Sequence, residues 1–402
     1  MIRVLYVDID LIHLNPSATH FPLLIEAANP NTDYFGPGFS SHEILGKGLL
    51  NWVREKGPYQ ALIIGPNSPI FATDVDDAIS STLTNLRRFT VHTHSVLQIV
   101  EFIKDIFNVL PRLNIEYRIA SFINIDYYAA TNAQVQRIHD WNLSLIGPNE
   151  QFVRPLAELP AFVRQEKHFR RKESGLSDCW LNFLQSHPER VITAVHYVLP
   201  SEFCFTPLDS RQPIVAVPGA EYYLRKNAIE ELRQSGIRTA SKWYFHIFRA
   251  LNKVGVPVYG NYWGLNLYNQ LFQRTLRTSR YVYTARGGFG LPVRKFFEIP
   301  AAGALLLCSP CTGYQELGFV DGVHYHDVEP DELSSFLYKL TKTGTGQNIA
   351  TEGRKLLAAN HCLQARAGQI ATCLQALIYG NYSGARWKSG TFTLIGEKTS
   401  VD

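Results

Sequence analysis

The chain of 402 residues is short of the marks that settle a function class at a glance. Its six cysteines are scattered: Cys179, Cys204, Cys308, Cys311, Cys362 and Cys373. Only Cys308 and Cys311 are close, and no second pair completes a zinc site. Cys308 ends an apolar run, where a reduced thiol packs as a small hydrophobe. Unpaired cysteines of this kind suit a reducing cytosol. No stretch approaches the roughly 20 apolar residues that a membrane helix needs. "MIRVLYVDID" has too short an apolar run, and carries aspartates, so it reads as a strand and not as a signal peptide. The expected location is cytoplasmic, with peripheral contact at the inner membrane face open. There is no low-complexity tract, no Lys-Ser/Thr-terminated P-loop and no G-x-G-x-x-G spacing. The two signs of charge nearly balance: the net charge is +4. A nucleic-acid binder concentrates more basic charge on one face, so no nucleic-acid partner is expected. The densest basic run, "RQEKHFRRKES" at 164–174, reads as a solvated helix or loop, or as a contact for an anionic lipid or glycan.

What is present is an alternation of strand-like and helix-like segments, once per half. "IRVLYVDI", "YQALIIGPN", "EYRIASFINID" and "NLSLIGPN" read as strands. Between them "SSHEILGKGLLNWVREKG", capped at Ser40 or Ser41, "SVLQIVEFIKDIFNVLPRL", stopped by Pro111, and "NAQVQRIHDW" read as helices. "RVITAVHYVLP" returns to strand. "SEFCFTPLDSRQ" reads as a linker. A second alternation follows: "PIVAVPGAEYYLRKNAIEELRQSG", a helix "SKWYFHIFRALNKVG", a strand "VPVYGNYWG" and a strand "SRYVYTARGGFG". Then come "VRKFFEIPAAG" as helix, "ALLLCSP" as strand, and helices "DELSSFLYKLTKTG" and "NIATEGRKLLAANHCLQARAGQIATCLQALIYG", the last one long. Strands alternating with helices predict parallel sheets covered on both faces. The expected domains are 1–205, 206–380 and a tail, 381–402, without periodicity, as in a linker of a longer protein.

In open α/β sheets a ligand sits at the carboxyl ends of the strands, so the turns after strands hold the candidates. In "VPGAEYYLR", Gly219 follows a strand and Arg225 lies inside the next helix; the arrangement suits an anion, or is an ordinary turn with a surface arginine. In "TARGGFGLPVRKFFE", Gly287, Gly288 and Gly290 permit close backbone approach to a ligand. Arg286, Arg294 and Lys295 there supply cations for phosphate oxygens. Glu298 is either a dipole partner for its helix or an acceptor for the hydroxyls of a diol such as ribose. The small residues Pro300, Ala301, Ala302 and Gly303 beside it leave room for a nucleotide.

The stretch "VRKFFEIPAAGALLLCSPCTGYQELGFVDGVHYHDVEPDELSSFLYKL" resembles the C-terminal domain of GT-B glycosyltransferases, and within them the spore-maturation (CgeB-like) branch. The matching positions are Arg294, Glu298, Gly303, Glu316, Leu317, Phe319, Gly322, the "DEL" at 331–333, His361 and Arg366. The specific likeness spans about residues 212–375. "YFGPGF" at 34–39 adds to it. The resemblance implies two Rossmann-like parallel-sheet domains facing a cleft, and a nucleotide-sugar donor held mainly by the second. Glu298 would hold the ribose, with Arg294, Arg286 and the glycine loop near the diphosphate or donor sugar. Where many retaining relatives carry another glutamate, eight residues earlier, this chain has Gly290. No metal and no cofactor beyond the donor are implied. For the acceptor side, Asp8 with Asp10, His13, His20, Asp126 and His196 are the candidates, and Asp126 and His196 are the expected catalytic pair, since His or Asp suits a general base. The expected activity is transfer of a sugar to a glycan, lipid-linked glycan or other hydroxyl, in bacterial surface-polysaccharide assembly. The alternatives are a non-catalytic nucleotide-binding scaffold and a sugar-nucleotide epimerase.

Overall fold

The computed structural model describes residues 2–13, 16–88, 90–122, 131–148, 178–287 and 290–396. Two parallel sheets dominate. The first contains β1 (Val4–Val7), β3 (Thr32–Phe35), β4 (Ala61–Ile64), β6 (Tyr117–Ser121), β7 (Leu143–Gly147) and β8 (Val191–Thr193). Its order is β3-β1-β4-β6-β7-β8, and every neighbouring pair is parallel. β1 and β4 are buried at every residue, as continuous Val, Leu and Ile runs in a doubly covered sheet must be. A small antiparallel pair, β2 (Ile12–His13) with β5 (Thr90–Val91), lies beside it.

The second sheet is β12 (His326–Asp327), β11 (Leu305–Cys308), β10 (Ser279–Thr284) and β9 (Gln212–Ala216), in that order and parallel. A further bridge joins Val215 to Thr239 on the open side of β9. The chain thus leaves β9 toward one side of the sheet and leaves β10 toward the other. That divergence is a topological switch point, where a crevice opens at the strand ends. The first sheet has its own switch point between β1 and β4.

Three expectations need correcting. "VPVYGNYWG" is no strand: its Val and Tyr suit a pleated surface, but Asn261 accepts a hydrogen bond from the Gly264 N–H (2.7 Å) and starts the helix Tyr262–Thr278. The long terminal helix is two, Gly346–Asn360 and Leu363–Ile378. The ladder breaks because Val198 donates to the His361 carbonyl (3.1 Å) and Leu363 donates to that of Val198 (3.0 Å). The tail, read as unstructured, forms the hairpin of β13 (Ala385–Lys388) and β14 (Thr391–Leu394). Its turn is Ser389-Gly390, both at positive φ (48° and 83°), the backbone that two-residue hairpins favour.

The helix Leu363–Ile378 returns to the first sheet. Ala367, Ile370, Cys373 and Leu374 share one buried cluster with Tyr6, Ile63, Ile119 and Ile192. The hairpin's Trp387 is buried against His361 (ring centroids 5.1 Å).

Candidate functional site

The candidate residues of the second half converge on the switch point of the second sheet. Gly219, three residues past β9, sits at φ +86°, which an L side chain adopts only with strain. A Cβ there would stand 3.0 Å from Lys295 Cε, 3.3 Å from its Nζ and 3.7 Å from Arg225 Nη1. Glycine therefore lets two cations close over one turn. Arg225 is buried (4% exposed) inside the helix Tyr223–Gln234. Its Nη1 donates to the Ala220 carbonyl (3.1 Å), while its Nε is buried without a partner. Burial holds the Arg225 pKa below its ordinary range. Lys295 opens the helix Lys295–Ala301 and reaches over the Phe272 ring (5.7 Å). Burial, then repulsion from Arg225, pushes Lys295 down to about 8, against the pull of Glu298. A half-buried lysine with a depressed pKa beside a buried guanidinium whose Nε has no partner is an arrangement that suits an anion.

Arg294 is different: it already faces two carboxylates. Its Nη2 donates to Glu202 Oε1 (2.6 Å) and its Nη1 to the Tyr197 carbonyl (2.6 Å). Its Nε stands 3.0 Å from Glu298 Oε1, an ion contact too bent to be a hydrogen bond. Burial opposes its charge, but Glu298 and Glu202 outweigh that and hold the Arg294 pKa above its usual range. Glu298 itself is buried (5% exposed), and desolvation raises its pKa against the lowering by Arg294 and Lys295. Arg286, just past β10, is engaged as well: Nη1 donates to Glu329 Oε1 (3.1 Å) and to the Pro310 carbonyl (3.1 Å). Gly287 closes a tight turn, donating to the Leu291 carbonyl (2.8 Å), and a Cβ on it would strike Val293. Gly288 lies outside the described residues.

From the first half, two histidines approach this cluster. His20 feels Arg294 and Glu298; burial pushes it down to about 4, and its Nδ1 is buried without a partner. Its carbonyl accepts from the Tyr197 hydroxyl (2.9 Å). His196 is pushed to about 3 by burial and by Arg294 and Arg366. Its Nδ1 is 3.3 Å from Ser17 Oγ, and its ring meets Phe297 edge-on (5.9 Å). So low a pKa keeps the ring uncharged, and makes it a weaker base than one poised near neutrality. Its expected partner Asp126 lies outside the described residues, as does the basic run 164–174.

Asp8 and Asp10 part company. Asp8 is fully buried at the first switch point. It accepts from Tyr6 Oη (2.8 Å), the Asn67 N–H (3.0 Å) and Ser68 Oγ (3.2 Å), and burial lifts it to about 7. Asp10 is exposed. Among the described residues no group of His, Cys, Asp and Glu could hold a metal ion. His361 and Arg366, singled out by the resemblance, are a structural joint. His361 Nε2 lies 2.9 Å from the Leu317 carbonyl and its Nδ1 2.9 Å from Arg366 Nη2. The carbonyl can only accept and the guanidinium only donate, so the ring is the Nε2–H tautomer.

Glu202 and Tyr197 escaped the sequence reading. Their partner Arg294 lies more than ninety positions away, and "SEFCF" gives no sign of it. His20 was visible only as a histidine in a loop.

Residues 233–372 match the family model described as glycosyl transferase-like. A search of the curated proteins gives no match. Among solved structures, the chain is similar to Anabaena HepE in complex with UDP-glucose. That likeness has 11% identity, 94% of this chain and 100% of that one covered, and a TM-score of 0.49. It is also similar to a Rickettsia africae glycosyltransferase (12% identity, 94% and 99% covered, TM-score 0.49). A third is the sucrose-phosphate synthase of Thermosynechococcus elongatus (10%, 94% and 100%, 0.47). At such identities and scores these structural likenesses carry no argument about this chain. The fold is α/β with two parallel sheets, as expected, and the likeness to glycosyltransferases stands on the matched segment of the second half. The match does not single out the spore-maturation branch.

Proposed function

We propose that the protein transfers a sugar from a nucleoside-diphosphate donor to a hydroxyl acceptor, with the donor diphosphate held by Arg225 and Lys295. The observation that carries this reading is their convergence over Gly219, at a switch point, with no carboxylate in hydrogen-bond contact with either among the contacts described. Arg286 and Arg294, by contrast, already face glutamates. In transfer, the bond from the anomeric carbon to the diphosphate oxygen breaks and a bond to the acceptor oxygen forms. Negative charge then grows on the departing diphosphate, where fixed buried cations are most effective. Glu298, held by Arg294, is the acceptor for the ribose hydroxyls. The acceptor's proton goes to a base of the first domain, for which His20 and His196 are the described candidates. We take the acceptor to be a glycan in bacterial surface-polysaccharide assembly and the reaction to be metal-independent; support for both is the family resemblance alone.

The test is a thermal-shift screen with UDP, GDP, ADP, CMP and dTDP on the wild type and on Lys295→Met. A ligand that binds only the folded state raises stability by RT ln(1 + [L]/Kd), about 2.7 kcal/mol at a hundredfold excess. A shift for one nucleoside diphosphate that Lys295→Met reduces by more than half is expected. Shifts of equal size in both proteins would remove Lys295 from the site, and no shift with any nucleotide would overturn the donor reading.

A further inference from the structure

The helix Trp243–Lys253 is apolar on two faces. Tyr244, Phe245 and Phe248 face inward, in a cluster with Val258 and Tyr259. Trp243, Ile247, Ala250 and Val254 follow at i, i+4, i+7 and i+11, which is one stripe of a helix. That stripe is in solvent: Trp243 is 55% exposed, Ile247 47% and Val254 75%. It continues beyond the helix. Val256 is exposed, and the first turn of the next helix, pressed on the Val258 carbonyl at Gly264, exposes Tyr262 and Trp263. Eight of the seventeen exposed large hydrophobics of the described residues fall between Tyr222 and Trp263, so the patch is a concentration and not scatter.

Cations flank it. His246, Arg249 and Lys253 are exposed along one side of the stripe. From Leu232 to Phe297 the sequence holds eleven Lys and Arg and no Asp or Glu, in a chain whose totals, 39 and 35, nearly balance. The nearest carboxylate is Glu221, 2.7 Å from Lys242 and 3.8 Å from His246 at the start of the helix. Arg249 and Lys253 have no ion pair among the described residues.

We infer that this face docks on an anionic lipid bilayer. Tryptophan and tyrosine at the rim, aliphatic side chains between them and a flank of cations are the chemistry of the headgroup boundary. A second copy of the chain fits worse, because a two-fold contact would set Arg249 and Lys253 against themselves. A soluble glycan fits worse too, because Ile247, Val254 and Val256 offer nothing to hydroxyl groups. The inference is independent of the sugar-transfer reading.

The test is sedimentation of the full chain with vesicles of phosphatidylcholine alone, and of phosphatidylcholine mixed with phosphatidylglycerol. Binding to the mixed vesicles is expected, weakening as salt is added. The double variants Trp243→Ser/Trp263→Ser and Arg249→Glu/Lys253→Glu should each bind about tenfold or more weakly. Both should keep the wild-type melting temperature, since the changed side chains are exposed. No binding to mixed vesicles, equal binding to both vesicle types, or undiminished binding by the variants would overturn the inference. So would a dimer in solution that Trp243→Ser/Trp263→Ser dissolves, which would make the face a contact between copies.

Discussion

Lys295 and Arg225 stand together over Gly219, the Lys295 Nζ and the Arg225 Nη1 both within 4 Å of the place where a Cβ would be. Two cations share one buried turn, and Glu298 is the one carboxylate that acts to keep Lys295 charged. Replacing Lys295 with Met removes repulsion as well as a ligand. Nucleotide affinity should fall by the worth of a charged hydrogen bond, about 1.5–3 kcal/mol, while the melting temperature of the free protein holds or rises. Titration calorimetry beside a melting curve separates the two effects.

The depressed pKa of Lys295 fixes a pH dependence. Its ordinary value is 10.5 and its folded value about 8. Between these two pH values the unfolded chain binds more protons, so this group's contribution to stability rises with pH across that window. Nucleotide binding runs the other way, because a bound diphosphate favours the charged amine. Affinity should drop as pH rises through 8, with proton uptake on binding near that pH. Calorimetry in buffers of different ionisation enthalpy reads the uptake, and a flat affinity from pH 7 to 9 would remove Lys295 from the site.

Gly219→Ala should cost roughly 1–2 kcal/mol of stability from its left-handed backbone alone, and should displace Lys295 further. The denaturation midpoint should fall and nucleotide affinity with it. Gly236, also at positive φ but with open space around it, is the control: Gly236→Ala should carry the backbone cost only.

Arg294→Met leaves Glu202 and Glu298 buried without their cation. Breaking a buried ion pair in this way costs about 3–5 kcal/mol, so Arg294→Met should be far less stable than Glu298→Gln. Urea denaturation of the two variants checks the order.

Trp387→Ala tests the status of the tail. As a buried aromatic stacked near His361 and under the Arg366 guanidinium (5.1 Å), it should cost about 3–5 kcal/mol. A dispensable linker would tolerate the change.

The strands of both sheets were legible because their runs are local and apolar. Gly219, Arg225, Lys295 and Glu298 were legible because turns after strands are where open α/β sheets bind ligands. Which cations are free was not legible: Arg286 and Lys295 look alike in "TARGGFGLPVRKFFE", and only packing gives Arg286 its Glu329 and leaves Lys295 facing Arg225. The helix break at His361 was invisible because its cause, Val198, lies far away in sequence. The hairpin did leave a trace, a Ser-Gly pair between strands whose first, "ARWK", alternates buried and exposed residues.

The return of Leu363–Ile378 to the first sheet makes the two halves unequal as separate pieces. A chain cut in the segment 201–212 would strip part of the cover from Tyr6, Ile63, Ile119 and Ile192, leaving them the helix of Phe21, Leu24 and Ile25, and the other piece would carry the rest of that cover without the sheet to lay it on. Exchanging second halves between such chains therefore requires two joints, with residues 363–394 kept beside the recipient's own first sheet. The second sheet and its turns are portable here only as an insert, from β9 to His361.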